Sequence, residues 1–491
     1  MTPVVSVTPA TDRPPVFSNL TDPADRRSAC PGLFRLAPAL DGGICRVKLA
    51  GGCLTAVQAQ AIAAAAQRFS QSPIELTNRA NFQIRGVQPT DEIALVEALV
   101  TAGLGPQAKT DCAIDDPLLR GSDDVRNVMV SPLAGRDPQQ VADVLPLAAR
   151  LLTTVQGDAR YHALSPKFAI QIDGGEHVAM LHHPHDLWLA VISPDEVAIG
   201  LAGCMPQEGD ATVPPGDLAL AAAPLAAAHD LVCAALDLFL EIGAAQAAVS
   251  RMKQLPADLR GAAFIDRLQA RLPFRLRRDA AISCWRRRPT LRGAHLGIIA
   301  EDNPGRVSVG AAAPLGRLLP AQLTALADLA RGKGDGSLRF TPWQSIILPS
   351  VATPDAVGVL QALEALDLTT QAAAPFAQMI ACAGSAGCGS ALAATQSDGM
   401  ELAAQLATRG TAFPVHLSGC GKSCAALRAE PATLVGVSPG HYDLYRQQAG
   451  ADSRFGRLLA ANITIDDAAD VLADLARSKL APDGPEAAGD A

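Results

Sequence analysis

Four cysteines near the C-terminus have the type and spacing to hold a metal centre. Cys382 and Cys388 form one short-spaced pair, with five intervening residues, and Cys420 and Cys424 form a second pair, with three. Four thiolates in two short-spaced pairs suit a [4Fe–4S] cubane, in which each iron needs one sulfur ligand. Small residues fill both loops, so the backbone can approach a cluster and direct amide N–H groups at its sulfides. The pattern predicts an iron–sulfur cluster on these four side chains.

Two other interpretations of the cysteine loops remain open. Structural zinc favours gaps of about two to four residues within a pair, so the five-residue gap counts against it. A phosphate-binding loop on Gly384, Gly387 and Gly389 would lack the usual strand-loop-helix glycine spacing and the following Lys-Ser/Thr. The other seven cysteines show no metal-ligand spacing and are typical of small buried residues.

An internal repeat indicates how the secondary-structure elements are organised. Residues 54–58 are echoed by 318–322, and the same offset along the chain relates 74–77 to 338–341. Each copy predicts a strand, a helix after a Leu-Thr or Leu-Pro cap, and a second strand of alternating apolar residues. Two copies of this β-α-β order predict an α+β fold with two pseudo-symmetric half-modules and two larger mixed α/β segments.

The predicted organisation alternates the half-modules with the larger segments. We expect the following order: a disordered tail at 1–25, the first half-module at 26–88, a first α/β segment at 89–271, a basic linker at 272–300, the second half-module at 301–353, a second α/β segment with the four cysteines at 354–480, and a disordered tail at 481–491.

Charge and hydropathy exclude several classes of protein. The net charge of −8 gives no concentrated basic face for nucleic acid. The most apolar stretch, residues 218–249, is interrupted by Pro224, Asp237 and Glu241, which argues against a membrane span. The N-terminus lacks the apolar core of a signal peptide. We therefore expect a cytoplasmic protein with reduced cysteines that binds neither nucleic acid nor membrane.

Three further motifs accompany the cysteines in a fixed order. Residues 77–83 (TNRANFQ) look like the Thr-x-Arg-x-x-x-Gln strand of the nitrite and sulfite reductase family, 124–128 (DVRNV) like its Arg-Asn-Val segment, and 166–168 (PKF) like its Pro-x-Lys-Phe-Lys region, one place shorter. The resemblance spans about residues 30–475 and implies ferredoxin-like half-modules with a cluster coupled to sirohaem. It also implies that the first α/β segment, 89–271, is a tetrapyrrole-binding segment. Arg79, Arg126 and Lys167 would then bind tetrapyrrole carboxylates or an anionic substrate, as guanidinium and ammonium groups do.

One departure from the family pattern narrows the resemblance. The second lysine of the Lys-Phe-Lys pattern is Ala169 here, which removes an ammonium that would attract an anion and donate protons. With this change the chain resembles the precorrin-3B synthase branch of the family, as do its segments 26–33 and 338–343. Gln344 stands where that branch is expected to carry a basic residue.

The branch implies an oxygen-dependent monooxygenase of aerobic cobalamin biosynthesis. Its substrate, precorrin-3A, is hydroxylated at the meso carbon between rings A and D, with γ-lactone formation, to give precorrin-3B. The resemblance implies a mononuclear non-haem iron beside the 4Fe-4S cluster, and electrons from NAD(P)H or a reductase partner. A sirohaem-dependent sulfite or nitrite reductase, or a non-catalytic tetrapyrrole and iron–sulfur carrier, are the alternatives. The sequence identifies no catalytic residue.

Overall fold

A computed structural model describes residues 30–70, 72–106, 116–210, 213, 218–246, 249–426, 428–448 and 453–480. The two predicted tails and Cys112 lie outside these ranges. The described chain forms two compact units. The first is built from residues up to 311 together with 317–366, and the second from 312–316 together with residues from 367 onward. None of the helices in these ranges is long and apolar enough to cross a membrane.

The described residues form twenty strands and twelve α-helices. The strands are β1 (Ala37–Ala39), β2 (Gly42–Val47), β3 (Cys53–Thr55), β4 (Ile74–Leu76), β5 (Phe82–Val87), β6 (Val128–Met129), β7 (Ile170–Asp173), β8 (His185–Ser193), β9 (Glu196–Gly203), β10 (Ala221–Pro224), β11 (Gly297–Ala300), β12 (Arg306–Ala312), β13 (Arg317–Leu318), β14 (Ser337–Phe340), β15 (Ser345–Ala352), β16 (Met379–Ala381), β17 (Val415–Ser418), β18 (Ala432–Ser438), β19 (His441–Arg446) and β20 (Arg457–Ile463). The helices are α1 (Ala56–Phe69), α2 (Glu92–Thr101), α3 (Pro117–Asp124), α4 (Leu145–Gly157), α5 (Ala228–Ala245), α6 (Ala262–Gln269), α7 (Ala280–Ser283), α8 (Pro320–Lys333), α9 (Ala356–Glu364), α10 (Gly384–Gly387), α11 (Thr395–Thr408) and α12 (Ile465–Leu480).

Two five-stranded sheets contain the repeated half-modules, and each takes one strand from the other copy. Their orders are β1-β2-β5-β4-β13 and β11-β12-β15-β14-β3. Leu76 pairs with Phe82 in the first copy, and Phe340 pairs with Ile346 at the same offset in the second. The exchanged strands β3 and β13 also pair in corresponding registers. The repeat in the sequence is therefore a repeat in strand register.

The first helix of each half-module begins at the same repeated signal. Thr55 precedes α1, and its hydroxyl accepts from the backbone N–H of Gln58, whose side chain accepts from the N–H of Thr55. Leu319 precedes α8, and its N–H donates to the side chain of Gln322 at 2.7 Å. A glutamine at the third helical position therefore satisfies an otherwise unpaired backbone donor in both copies.

The two larger sheets also share one topology. The first unit contains the order β10-β9-β8-β7-β6, in which β6, β7 and β8 run parallel. The second unit contains β16-β17-β18-β19-β20, in which β16, β17 and β18 run parallel. Helices α4 and α5 pack against the first sheet and enclose one hydrophobic core. Helices α11 and α12 pack in the same way against the second sheet. The carboxyl ends of parallel strands meet at one sheet edge, so loops there converge.

Two local predictions differ from the structure. The apolar residues 178–181 predict a strand, but in the structure their carbonyls accept side-chain hydrogen bonds, from Ser131 to Val178 (2.6 Å) and from Gln171 to Met180 (2.7 Å). These bonds take the place of a strand ladder. The Ala-rich stretch 218–249 predicts one or two buried helices, and it holds α5, but its first part contains strand β10, which pairs with β9.

Two arginines of the segment 272–300, Arg277 and Arg287, form ion pairs within the first unit. Arg287 is buried and donates to both carboxylate oxygens of Asp173, at 2.7 and 3.2 Å. Arg277 donates to both oxygens of Glu196, at 2.9 and 3.0 Å. These two positive charges are neutralised locally.

Candidate functional site

The sheet of the second unit brings the two cysteine loops together. Strands β16 and β17 are parallel neighbours, with Ala381 opposite Leu417. Cys382 follows β16 directly, and its N–H donates to the carbonyl of Leu417 at 3.2 Å. Cys420 comes shortly after the end of β17. Both pairs of cysteines therefore begin at the same edge of the sheet.

The first loop folds back on itself after Cys382. Gly384 has a φ of +68° and opens the short helix α10, after which the N–H of Cys388 donates to the carbonyl of Gly384 at 3.0 Å. The hydroxyl of Thr395 donates to the carbonyl of Cys382 at 2.8 Å and lies 3.6 Å from its Sγ. A side chain at Gly384 would collide with the backbone nitrogen of Thr395 at 2.7 Å, so glycine is required here.

Hydrogen bonds join the second loop to the first. The N–H of Gly419 donates to Sγ of Cys382 at 3.2 Å, and the carbonyl of Gly419 accepts from the N–H of Leu392 at 2.7 Å. Farther along, Lys422 donates to the hydroxyl of Ser390 at 2.9 Å. An amide directed at a cysteine sulfur is the interaction that stabilises a thiolate and tunes an iron–sulfur cluster.

The four sulfurs influence one another electrostatically. Desolvation of the thiol, followed by the charges of Cys420, Cys382 and Cys388, raises the pKa of Cys424. Three of the cysteines are half-buried, whereas Cys424 is exposed as a residue. Four thiolates that share one sheet edge repel one another until cations join them. The donor set and the small-residue loops therefore fit a [4Fe–4S] cluster, although the ligand assignment stays a prediction.

A single zinc ion and a cubane require different spacings of the four sulfurs. Across the described ranges, no group of three or more His, Cys, Asp or Glu side chains is placed to hold a metal ion. Zinc requires four sulfurs at about 2.3 Å from one centre. A cubane binds each thiolate to a different iron, so its ligands lie farther apart.

In the first unit, the segment that follows β6, residues 130–140, contains no cysteine. The N–H of Asp137 donates to the carbonyl of Leu133 at 3.0 Å, in the same pattern by which Cys388 donates to Gly384 in the second unit. The carboxylate of Asp137 lies 2.6 Å from Nδ1 of His177. The duplicated fold thus carries the cysteine set in one copy.

Two of the three predicted basic residues lie together in the first unit. Arg79, in the turn between β4 and β5, donates to the backbone carbonyl of Lys167 at 3.3 Å. Burial, followed by the charges of Arg46 and Arg251, lowers the pKa of Arg79 to about 10. Arg79 therefore stays charged at neutral pH, and its surroundings favour an anion. The side chain of Lys167 is exposed.

The third predicted residue, Arg126, is held by internal partners. Its guanidinium donates to the carbonyl of Leu104 at 3.1 Å and lies 3.4 Å from Asp123. The ammonium of Lys48 lies 3.3 Å from the same carboxylate. Burial lowers the pKa of Lys48, opposed by Asp123 and Asp124 and reinforced by the charges of Arg126 and Arg46. Arg79, Arg46, Lys48 and Arg126 thus form one electrostatically connected basic cluster.

Sequence reasoning missed part of this cluster. Arg46 and Lys48 lie on or directly after β2, and Nε of Arg46 is buried without a hydrogen-bond partner among the described residues. Arg251 donates to both oxygens of Asp186, at 2.8 and 2.9 Å. The sequence signal was the presence of two basic residues in an otherwise apolar, half-buried strand. Charged residues are rare at such positions unless they are paired with another group.

His183 and His185, at the start of β8, do not form a complete metal site. The rings of His183 and His185 lie 4.8 Å apart, and Nε2 of His185 is 3.1 Å from Sδ of Met129. Burial, followed by the charges of His183 and Arg79, lowers the pKa of His185 well below its usual range. The imidazole is therefore neutral, but the described residues supply no third ligand.

Family patterns match this chain at its two half-modules and at its first larger segment. The pattern described as "Nitrite/Sulfite reductase ferredoxin-like half domain" matches residues 38–102 and 298–366, and "Nitrite and sulphite reductase 4Fe-4S domain" matches 121–276, which precedes the four cysteines. The chain belongs to the nitrite and sulfite reductase family. The predicted family and the predicted α+β fold are thereby confirmed, and the protein is an oxidoreductase.

Its relatives include a precorrin-3B synthase, nitrite reductases and a sulfite reductase. The chain is 28% identical to a precorrin-3B synthase of Sinorhizobium sp, over 85% of this chain and 82% of that one. It is 27% identical to the ferredoxin–nitrite reductase of Synechococcus elongatus, over 92% and 90%. The solved structure of the Mycobacterium tuberculosis NirA protein matches with a TM-score of 0.71 at 22% identity, covering 90% of this chain and 82% of that one, which supports the fold.

Proposed function

We propose that this protein is an oxygen-dependent precorrin-3B synthase. It would hydroxylate precorrin-3A at the meso carbon between rings A and D and close a γ-lactone with the ring A acetate. One atom of O2 enters the macrocycle and the other leaves as water, and a donor supplies two electrons and two protons. The proposed donor is NAD(P)H or a reductase that it reduces.

The observation that carries this proposal is the environment of Ala169. Ala169 is 1% exposed, and its N–H donates to Asp186 at 3.0 Å. Asp186 in turn holds Arg251 in a two-oxygen ion pair. The chain therefore has no ammonium at this position and fixes a neighbouring guanidinium with a carboxylate. Six-electron reduction of nitrite or sulfite needs added positive charge and proton donors here, whereas O2 is neutral.

The basic cluster supplies what a tetrapyrrole substrate needs. Arg46 and Arg79 are buried guanidinium groups. Burial destabilises their charged forms, and a carboxylate partner stabilises them. Lys167 is exposed beside Arg79 and can reach a more peripheral acid group. We assign these three residues to the carboxylates of the macrocycle. Arg126 would act within the same cluster, with its charge balanced by Asp123.

The proposed cluster ligands are Cys382, Cys388, Cys420 and Cys424. A bound cluster supplies electrons one at a time. The N–H of Gly419 then holds the Sγ of Cys382, and Thr395 fixes the loop through the carbonyl of Cys382. A second, mononuclear iron lacks a fitting ligand set among the described residues, so we assign no residue to it.

A sirohaem-dependent nitrite reductase is the second candidate. It is favoured by relatives such as the ferredoxin–nitrite reductases of Zea mays and Synechococcus elongatus, at 26% and 27% identity. The absorption spectrum separates the two, because sirohaem adds a strong Soret-like band to the broad absorption of a cluster.

The decisive experiment is turnover of precorrin-3A under ¹⁸O2 with a reductant. The product should gain one labelled oxygen atom, measured by mass spectrometry. An unchanged substrate mass, together with consumption of nitrite by the reduced protein, would overturn the proposal in favour of the reductase.

The cysteine assignment is tested with a matched pair of variants. Cys420→Ser should lower the iron and sulfide bound per chain and abolish turnover, because the cubane loses one ligand. Cys284→Ser changes an exposed cysteine outside the loops and should leave both unchanged. An equal iron content in the two variants would remove Cys420 from the ligand set.

A further inference from the structure

Two polar side chains of the second unit are buried without a hydrogen-bond partner among the described residues. His416 is 1% exposed and Thr433 is 0% exposed. Neither ring nitrogen of His416 has such a partner, and the hydroxyl of Thr433 has none either. A buried polar atom that lacks a hydrogen bond destabilises the folded state, so native proteins contain few of them. Three such atoms on two residues therefore indicate a bound group that the chain itself does not supply.

Strand register brings these two side chains together. The parallel strands β17 and β18 pair His416 with Thr433, and the antiparallel strands β18 and β19 pair Thr433 with Tyr445. The alternate residues of these strands, such as Leu417 and Leu434, belong to the core that α11 and α12 cover. His416, Thr433 and Tyr445 therefore line the opposite face of the sheet. They form a polar row across three neighbouring strands, and the row ends at the half-buried Tyr445.

The polar row begins close to the cysteine loops. Ile380 pairs with His416 in the sheet, and Cys382 follows two residues after Ile380. On β17 itself, Ser418 lies two residues beyond His416, and its hydroxyl donates to the carbonyl of Cys420 at 2.7 Å. Two residues of a strand span about 6.6 Å. His416 therefore lies about one side-chain repeat from the start of both cysteine loops.

Water fits the donors and acceptors of this pair. Neighbouring strands lie about 4.8 Å apart, which is too long for a direct hydrogen bond but suits one water molecule between two polar atoms. Burial, followed by the charge of Arg454, lowers the pKa of His416 to about 4, so its ring is neutral at neutral pH. A neutral imidazole offers one donor and one acceptor, and a hydroxyl offers both. Internal water typically makes about three hydrogen bonds to groups of this kind.

We propose that His416 and Thr433 bind internal water beside the cysteine loops, and that this water raises the reduction potential of the cluster proposed there. A reduced cluster carries an additional negative charge, which the dipoles of nearby water molecules and N–H groups stabilise. His416 and Thr433 are positioning residues, because they act on the cluster through the water that they hold. The inference rests on the proposed function and its cluster ligands.

Replacing Thr433 by valine tests the water directly. Thr433→Val exchanges the hydroxyl for a methyl group of similar size, and we expect Tm to fall because the water loses a partner. Thr341→Val provides the scale, since the buried hydroxyl of Thr341 is bonded to that of Ser345 at 2.6 Å. In a dry interior, Thr433→Val would instead remove an unpaired hydroxyl and relieve its cost. A Tm equal to or above that of the wild type would overturn the proposal.

The midpoint potential of the holoprotein tests the effect on the cluster. Thr433→Val and His416→Phe should both shift it to more negative values, measured by reductive titration followed in the visible spectrum. Thr433→Ser keeps the hydroxyl and its water, so its midpoint potential should equal that of the wild type. Equal midpoint potentials in Thr433→Val and Thr433→Ser would contradict the proposal, even where His416→Phe fails to fold.

Failure of the proposed function is seen separately. Neither measurement uses precorrin-3A, so an unchanged substrate mass under ¹⁸O2 leaves both results intact. Failure of the cluster assignment appears as equal iron content in Cys420→Ser and Cys284→Ser. The Tm of Thr433→Val then still decides whether His416 and Thr433 bind water.

Discussion

Replacing Gly419 by alanine should displace the backbone that joins the two cysteine loops. A Cβ at this position would lie 2.6 Å from the Cβ of Ala391 and 3.4 Å from its Cα. Carbon atoms normally approach to about 3.5–4.0 Å, so one of the two backbone segments has to move by about 1 Å. Neither contact atom can rotate away, because both belong to the backbone or to a methyl group fixed on it.

The displacement acts on two hydrogen bonds as well as on packing. Gly419 donates to Sγ of Cys382 at 3.2 Å and accepts from Leu392 at 2.7 Å, and a shift of about 1 Å exceeds the tolerance of either bond. Overpacking of this kind costs about 1–3 kcal/mol. We therefore expect Gly419→Ala to lower the free energy of unfolding by about this amount and to reduce the iron bound per chain.

Gly421 offers a matched control in the same loop. A Cβ there meets nothing within 4 Å, and its φ lies outside the left-handed region. Both substitutions restrict the unfolded chain equally, so the difference between the two variants reports the folded state. Urea denaturation gives the free energies, and iron and sulfide analysis with the visible spectrum gives the cluster content. Equal values for Gly419→Ala and Gly421→Ala would refute the reasoning.

Two further predictions concern the first unit. Burial, followed by the charge of Asp173, raises the pKa of Glu176, so the folded state holds its proton more tightly than the unfolded chain, and stability falls as pH rises above the ordinary carboxyl range. Glu176→Gln should be more stable than wild type at pH 8 and equal to it near pH 4 in urea denaturation; parallel pH curves would contradict this. Gly200→Ala would place a Cβ 2.1 Å from the buried ring of Trp188 and should cost about 2–3 kcal/mol. Gly157→Ala, with nothing within 4 Å, should cost far less, and equal losses would show that the ring moves freely.

The sequence determined the features that depend on neighbours along the chain. Residues 318–322 repeat 54–58, and the structure repeats the helix start and the strand register at the same offset. Spacing also placed Cys382 beside Cys388 and Cys420 beside Cys424, because short gaps within each pair hold side chains close regardless of the fold. Periodicity and capping act over a few residues, so they can be interpreted without tertiary contacts.

Tertiary structure decided which distant groups meet. The half-modules exchange β3 and β13, and residues 178–181 form no strand because side chains bind their carbonyls. Most importantly, Asp123 neutralises Lys48 from a distant part of the chain, so a residue that the sequence presents as one more surface acid decides the charge of the cluster. Electrostatic pairing depends on distance and burial in space, and neither is encoded in local pattern.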